Sequence, residues 1–218
     1  MELKTAIEKA LKESKKRNFT QSVELAVSLK HVDFKKAEFK FTEEIPLPHG
    51  RGKDVKIGVF GNIEMLKKAK DLGLSAFSAD DLDKFEKNKR KSRKVIREHE
   101  YFLSQPDMMI KIGKVLGATL GPKGKMPKPV PPKADIRPIV ARLQKSVRIR
   151  LRDQPVIHAP FGVESMPIEQ LVANGTTLLS TIEKKLPAGK DNIARVFVKT
   201  TMGKAVNLHE RVEAEKSE

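Results

Sequence analysis

The spacing of apolar residues in this 218-residue chain changes twice, and those changes limit what it can fold into. Near the start, Leu3, Ile7, Ala10 and Leu11 recur at helical spacing within residues 2–16. Over residues 22–30 the period drops to two: Val23, Leu25, Val27 and Leu29 alternate with Glu24, Ala26 and Ser28, the pattern of a half-buried strand. Phe39 and Phe41, alternating with Glu38, Lys40 and Thr42, predict a partner strand for it. Residues 45–53 then read IPLPHGRGK, and two prolines with two glycines in so short a stretch predict a connection. His49, between Pro48 and Gly50, fits a turn.

Beyond that break, strands and helices alternate. Val55, Ile57 and Val59 predict a short strand. Asn62 is placed to cap the helix IEMLKKAKDL, and Gly73 to end it. SAFSA predicts a weak strand, and Asp80 or Asp81 opens a helix running into KNKRKSRK, residues 87–94. YFLSQ is a third strand and MMIKIGKVLG a third helix. This βαβαβ order predicts a parallel sheet covered by helices. A loop, LGATLGPKGKMPKPVPPKAD, leads to a helix holding Ile136, Ile139, Val140 and Leu143.

From Val147 the alternation returns. Val147, Ile149 and Leu151 face one way, and Arg148, Arg150 and Arg152 the other. VIHAPFG is a strand, Ile168 to Leu186 outline a long amphipathic helix, and Val196–Val198 mark a last strand before KTTMGKAVNL. The tail RVEAEKSE is polar and expected to fray. The simplest organisation is an α+β discontinuous domain from both termini, residues 1–51 and 148–218. Into it is inserted an α/β (Rossmann-like, parallel-sheet) domain, residues 52–147. Two adjacent crossings would form a hinge.

Charge narrows the partner. Lys and Arg number 44 against 28 Asp and Glu, a net charge of +16. Such a surplus favours a polyanion through long-range attraction and counterion release. Residues 52–147 hold 22 Lys and Arg and 11 Asp and Glu, so the middle of the chain carries most of the excess. With no cysteine, disulfides, thiolate zinc sites and Cys nucleophiles are excluded. No apolar run approaches the ~20 residues of a membrane span. The charged N-terminus is not a secretory signal, so the cytoplasm is the expected compartment. Aromatic residues make up 5%, with no Trp, which argues against a base-stacking platform as the main mode of RNA binding.

Enzymatic and metal sites find little support. In GATLGPKGK, Gly124-Lys125 is followed by Met126, and Thr119 stands where a phosphate-binding loop needs its first glycine. The five histidines show no metal-ligand spacing, and no carboxylate pair stands out, so neither a catalytic residue nor a metal or cofactor is expected. KNKRKSRK reads either as a solvated helix face or as a phosphate contact. The arginine row Arg148, Arg150, Arg152 reads either as a backbone track or as a wet sheet face. KTTMGK combines hydroxyls, adaptable apolar surface and a glycine that allows close approach, a mixture suited to the ribose-lined face of folded RNA.

NFTQSVEL, IPLPHGRGK, GATLGPKGKMPKP, VIHAPFGVESM and VFVKTTMGKAVNL, in this order and spacing, resemble the large-subunit ribosomal protein L-one family in its archaeal form. The resemblance covers nearly the whole chain. It implies a discontinuous domain with an α/β insert, and no enzymatic activity. It implies binding of large-subunit ribosomal RNA at the mobile stalk near the tRNA exit site, with help in releasing deacylated exit-site tRNA. It also implies repression of the protein's own-operon mRNA, which carries a mimic of the ribosomal site, and a monomer when free. Carried onto this chain, the family's specific site falls on Thr201, Met202 and Gly203 together with Phe19, Ser22 and Glu24. Ser22 stands where other members have Thr, and Arg195 where some carry Ser. Charge therefore points to the insert and the resemblance to the two-termini domain. Phosphate attraction positions RNA without specifying it, so specificity is expected around Thr201–Gly203. Glu24 reads either as an acceptor for a 2′-OH or guanine edge or as a solvent-facing strand carboxylate.

Overall fold

A computed structural model describes residues 2–36, 39–131 and 134–208; the tail expected to fray lies outside the described residues. The chain divides into two compact units, Met1–Lys53 with Lys145–Glu218, and Asp54–Gln144.

The first unit begins with α1 (Leu3–Lys12), whose Ala6, Ile7 and Ala10 are buried. Next come β1 (Ser22–Leu29) and β2 (Phe41–Pro46). The chain returns with β7 (Ser146–Leu151), β8 (Val156–Val163), α7 (Ile168–Lys185), β9 (Ile193–Thr200) and β10 (Val206–Asn207). A sheet in the order β10-β9-β1-β8 is antiparallel throughout, with β1 in its interior. In β1 the odd residues Val23, Leu25, Val27 and Leu29 are buried and the even ones half-buried, as the period of two requires. The inner face meets α1 and α7 in a single core that includes Leu25, Phe161, Leu178 and Val198.

β2 does not pair with β1, as its nearness in sequence suggested. It forms a separate two-stranded sheet with β7, from Phe41↔Leu151 to Pro46↔Ser146. Both edges of β1 are already taken by strands from the far end of the chain, β8 and β9. Ile45 and Pro46, expected in the connection, close β2, and the turn proper begins at Leu47. Gly50 and Gly52 adopt φ of +67° and +69°, a region costly for residues with a Cβ. Asn174, fully buried on α7, pins this turn: its Oδ1 accepts from His49 N and its Nδ2 donates to the Gly50 and Phe161 carbonyls. Arg148 reaches Glu44 across the β2–β7 pair at 3.3 Å, so part of the arginine row is satisfied within the fold.

The second unit is three-layered. Its parallel sheet has the order β4-β3-β5-β6, from β3 (Ile57–Phe60), β4 (Ser75–Phe77), β5 (Tyr101–Ser104) and β6 (Lys128–Pro129). Around it lie α2 (Ile63–Asp71), α3 (Ala79–Lys87), α4 (Lys89–Glu98), α5 (Pro106–Leu120) and α6 (Arg137–Gln144). Alternate residues of β3 and β5 feed two cores. Ile57, Val59, Tyr101 and Leu103 pack with α2 and α6. Phe60 and Phe102 pack with α3, α4 and α5.

Three expectations change here. The helix expected to run through KNKRKSRK is two helices broken at Asn88, whose φ of −124° and ψ of +83° are not helical and whose Oδ1 accepts from Lys91 N. α3 starts at Ala79 because Ser78, not Asp80 or Asp81, is the N-cap; Asp81 returns the bond to Ser78 N in a capping box. α5 continues to Leu120, taking in residues expected in the loop, because Ile112, Leu116 and Leu120 keep a buried stripe at helical spacing.

Candidate nucleic-acid interface

The six residues singled out by resemblance lie in the first unit on two adjoining strand ends and the loop before one of them. β1 begins at Ser22 and β9 ends at Thr200, and the two run antiparallel with Val23 opposite Thr200. That register sets the turn Thr201–Gly203 beside Ser22. Thr201 N donates to Ser22 O at 3.0 Å, and Ser22 N donates to Thr201 Oγ1 at 3.0 Å. Thr201 Oγ1 also bonds to Ser22 O, at 3.3 Å. The hydroxyl is thus occupied by the neighbouring backbone. Its donor is used, and it keeps one acceptor position for a ligand. The same hydroxyl therefore also joins the turn to β1.

Gln21 anchors the rest. It is 1% exposed, and both ends of its amide are hydrogen-bonded. Gln21 Oε1 accepts from Met202 N at 3.1 Å. The two N–H groups of Gln21 Nε2 are shared among Ser14 Oγ at 2.8 Å, Lys15 O at 3.1 Å and Glu164 Oε2 at 3.2 Å. Its own N–H donates to Glu164 Oε1, and Glu164 N donates back to Gln21 O. One side chain thereby ties the end of α1, the residue after β8 and the turn after β9. Thr200, fully buried, bonds to Ser14 through its hydroxyl at 3.0 Å. Gly203 sits so close to Thr200 that an added Cβ would come within 2.2 Å of Thr200 Oγ1. A larger residue there has to displace the Thr200 hydroxyl from its bond to Ser14.

What the scaffold presents is mixed. Met202 is 60% exposed and Phe19, two residues before Gln21, is 50% exposed; both are large apolar side chains left in water. Glu24 is half-buried on the outer face of β1, opposite Lys199 and Pro160, and its carboxylate makes no hydrogen bond or ion pair within the described residues. Ser22 Oγ accepts from Lys53 Nζ at 2.8 Å, leaving its own O–H free to donate. Exposed Lys15, Lys16, Arg17 and Lys204 supply cations on the same segments, and exposed Lys53 adds one from the turn after β2. Arg195 is exposed on β9 opposite Ser28. The arrangement offers hydrogen-bond acceptors, adaptable apolar contact and a basic fringe on a backbone fixed in advance.

Sequence reasoning missed Gln21, Ser14, Thr200, Glu164 and Lys53. Gln21 had one signal, a polar residue in phase with the buried positions Val23 and Leu25. Lys125, in the loop that fails the phosphate-binding pattern, donates to the Ile96 and His99 carbonyls at 3.0 and 2.5 Å, closing the C-terminus of α4.

Residues 11–204 match the model of the Ribosomal protein L1p/L10e family. The chain is similar to the large ribosomal subunit protein uL1 of Pyrococcus horikoshii, 47% identical over 204 residues that cover 93% of each chain. It is also similar to that of Methanocaldococcus jannaschii, 44% identical over 93% of each chain. The Thermoplasma acidophilum protein is 41% identical over 95% of each chain. With a match of this length and relatives covered almost end to end, the chain belongs to the Ribosomal protein L1p/L10e family.

Proposed function

We propose that this chain is a structural constituent of the large ribosomal subunit in the cytoplasm, binding large-subunit ribosomal RNA at the mobile stalk near the tRNA exit site and assisting release of deacylated tRNA. It is a ribosomal protein and not an enzyme, as its relatives are. The observation that carries the reading is the turn Thr201–Gly203. Its backbone is held by Gln21 and Ser22, while Met202 and Phe19 stay exposed and the Glu24 carboxylate has no partner among the described residues. A surface ordered before binding loses little entropy on association, and its shape selects a folded RNA where phosphate attraction cannot. The free acceptors of Glu24 suit a 2′-OH or a guanine edge.

The same surface serves the second activity, repression of translation through the protein's own mRNA. One surface for two RNAs requires that a substitution there weakens both. The test is titration of the full chain with a stalk ribosomal RNA fragment, the leader of its own mRNA and a scrambled RNA at ~150 mM salt, where exposed charges are largely screened. Met202→Ala and Glu24→Gln are each expected to lower affinity for both cognate RNAs by ~1–3 kcal/mol, the scale of removing one packed side chain or one hydrogen bond, and to leave the scrambled RNA unchanged. Losses confined to one cognate RNA would sink the shared site.

A further inference from the structure

α4 departs from the rules its neighbours follow. α3 carries Asp80 and Asp81 in its first turn, where acids suit the helix dipole. α4 carries Lys89, Arg90 and Lys91 there and no acid. Its inner face, with Ser92 and Ile96 buried, packs on the unit's core. Opposite, Arg90, Arg93, Lys94 and Arg97 recur at i, i+3, i+4 and i+7, so all four share one exposed stripe. Like charges at these spacings repel. Among the described residues none of the four forms an ion pair, although Lys84, Lys111 and Arg148 elsewhere do, and the one acid of α4 is Glu98 at its C-terminal end. The stripe borders an open groove of about 910 Å³ lined, among the described residues, by Asn88 and residues of α4 as far as Glu98.

We propose that α4 is a second, sequence-independent docking surface for the phosphate backbone of an RNA helix. The proposal rests on the reading of this chain as an RNA-binding protein and adds a surface in its other unit. Charge complementarity decides the occupant. Protein interfaces need a central apolar or aromatic anchor and are depleted in Lys, whereas α4 exposes no large apolar side chain among its cations. Nucleic-acid interfaces are far more positive and need no such anchor. The stripe from Arg90 to Arg97 runs for about 10 Å at the helical rise, enough to follow a strand across more than one phosphate. Three guanidinium groups within it suit bidentate phosphate contacts.

The test compares the full chain with a variant carrying Arg90→Gln, Arg93→Gln, Lys94→Gln and Arg97→Gln. Gln keeps helix propensity, and circular dichroism checks that the fold is retained. A control carries Lys67→Gln, Lys68→Gln, Lys114→Gln and Lys123→Gln, which removes the same charge from exposed positions outside α4. Each protein is titrated with a duplex RNA of arbitrary sequence and with the stalk ribosomal RNA fragment over a salt series. For the α4 variant the slope of log K against log salt is expected to fall by about 3, at ~0.7–0.9 for each phosphate that the protein no longer neutralises. The control should change it by less than ~1, and discrimination between the two RNAs should survive in both variants. Equal slopes for the two variants would mean bulk charge alone and would overturn the proposal, as would an unchanged slope in the α4 variant. Loss of discrimination on changing α4 would also overturn it, since the surface would then read sequence. Competition by polyglutamate as strong as that by duplex RNA, with the same dependence on α4, would reassign the surface to an acidic protein. Wild type that binds duplex RNA but shows no preference for the stalk fragment would defeat the function proposed above while leaving the slope test of α4 intact.

Discussion

The hydroxyl of Thr201 is spent on Ser22, and that separates its role from that of its neighbours. Thr201→Val keeps the volume and strands Ser22 N, so it is expected to lower stability by about 1–2 kcal/mol in chemical denaturation, whereas Thr201→Ser stays near wild type. Met202→Ala should leave stability unchanged and reduce RNA binding alone, because its side chain is exposed. Gln21→Leu removes a buried, hydrogen-bonded amide under the turn and should destabilise by about 2–3 kcal/mol, with RNA affinity falling as the turn loosens. An unfolding midpoint equal to wild type would show that the turn does not depend on this hub. The residues at the surface were legible in the sequence because TTMGK and NFTQSVEL are distinctive segments. The hub beneath them was not, since two of the partners of Gln21, Glu164 and Met202, lie 143 and 181 residues away and a lone Gln in a strand pattern says nothing about them.

Elements were legible where one period persists. The alternation in β1 and in β7, and the long stripe of α7, are patterns a chain imposes on itself once one face is buried. Pairing was less legible. β2 follows β1 in sequence yet pairs with β7, because long-range partners claim both edges of β1, and periodicity carries no information about which strand lies alongside. The division between α3 and α4 was hidden for a local reason: Asn88 and Ser78 resemble ordinary polar helix residues until their side chains cap. That cap yields a prediction of its own. Burial alone would raise the Asp81 carboxyl, but the hydrogen bond from Ser78 N, helped by Lys84, holds it below its ordinary value of 3.8. A depressed value in the folded state means stability that is present above 3.8 and lost as pH falls through the folded value. Asp81→Ala should therefore lower stability by about 1 kcal/mol at neutral pH, the usual scale of a lost cap, and the gap from wild type should narrow in acid melts. A gap constant down to strongly acidic pH would assign the effect to packing rather than to the charge.

Across the whole molecule, the excess of cations and the preformed turn fall in different places. Residues 52–147 hold half the cations but only 11 of the 28 acids, while the preformed turn belongs to the unit built from both termini. The unpaired cations of α4 have no partner in common with Gln21, Ser22 or Thr201. Sites without shared partners contribute independently to a free energy. Gly203→Ala pushes a methyl group to within 2.2 Å of the Thr200 hydroxyl and should cost at least ~10-fold in affinity for stalk RNA by displacing the turn, with little change in the salt slope. The four α4 substitutions should lower affinity and flatten the slope together. Combined in one chain, the two losses should add to within about 0.3–0.5 kcal/mol, and the slope should match that of the α4 variant alone. A double-mutant cycle on stalk RNA reads this directly. A coupling well above that range would mean that RNA held on α4 alters what the turn can grip, so the two surfaces would act as one site rather than as an attractor and a reader.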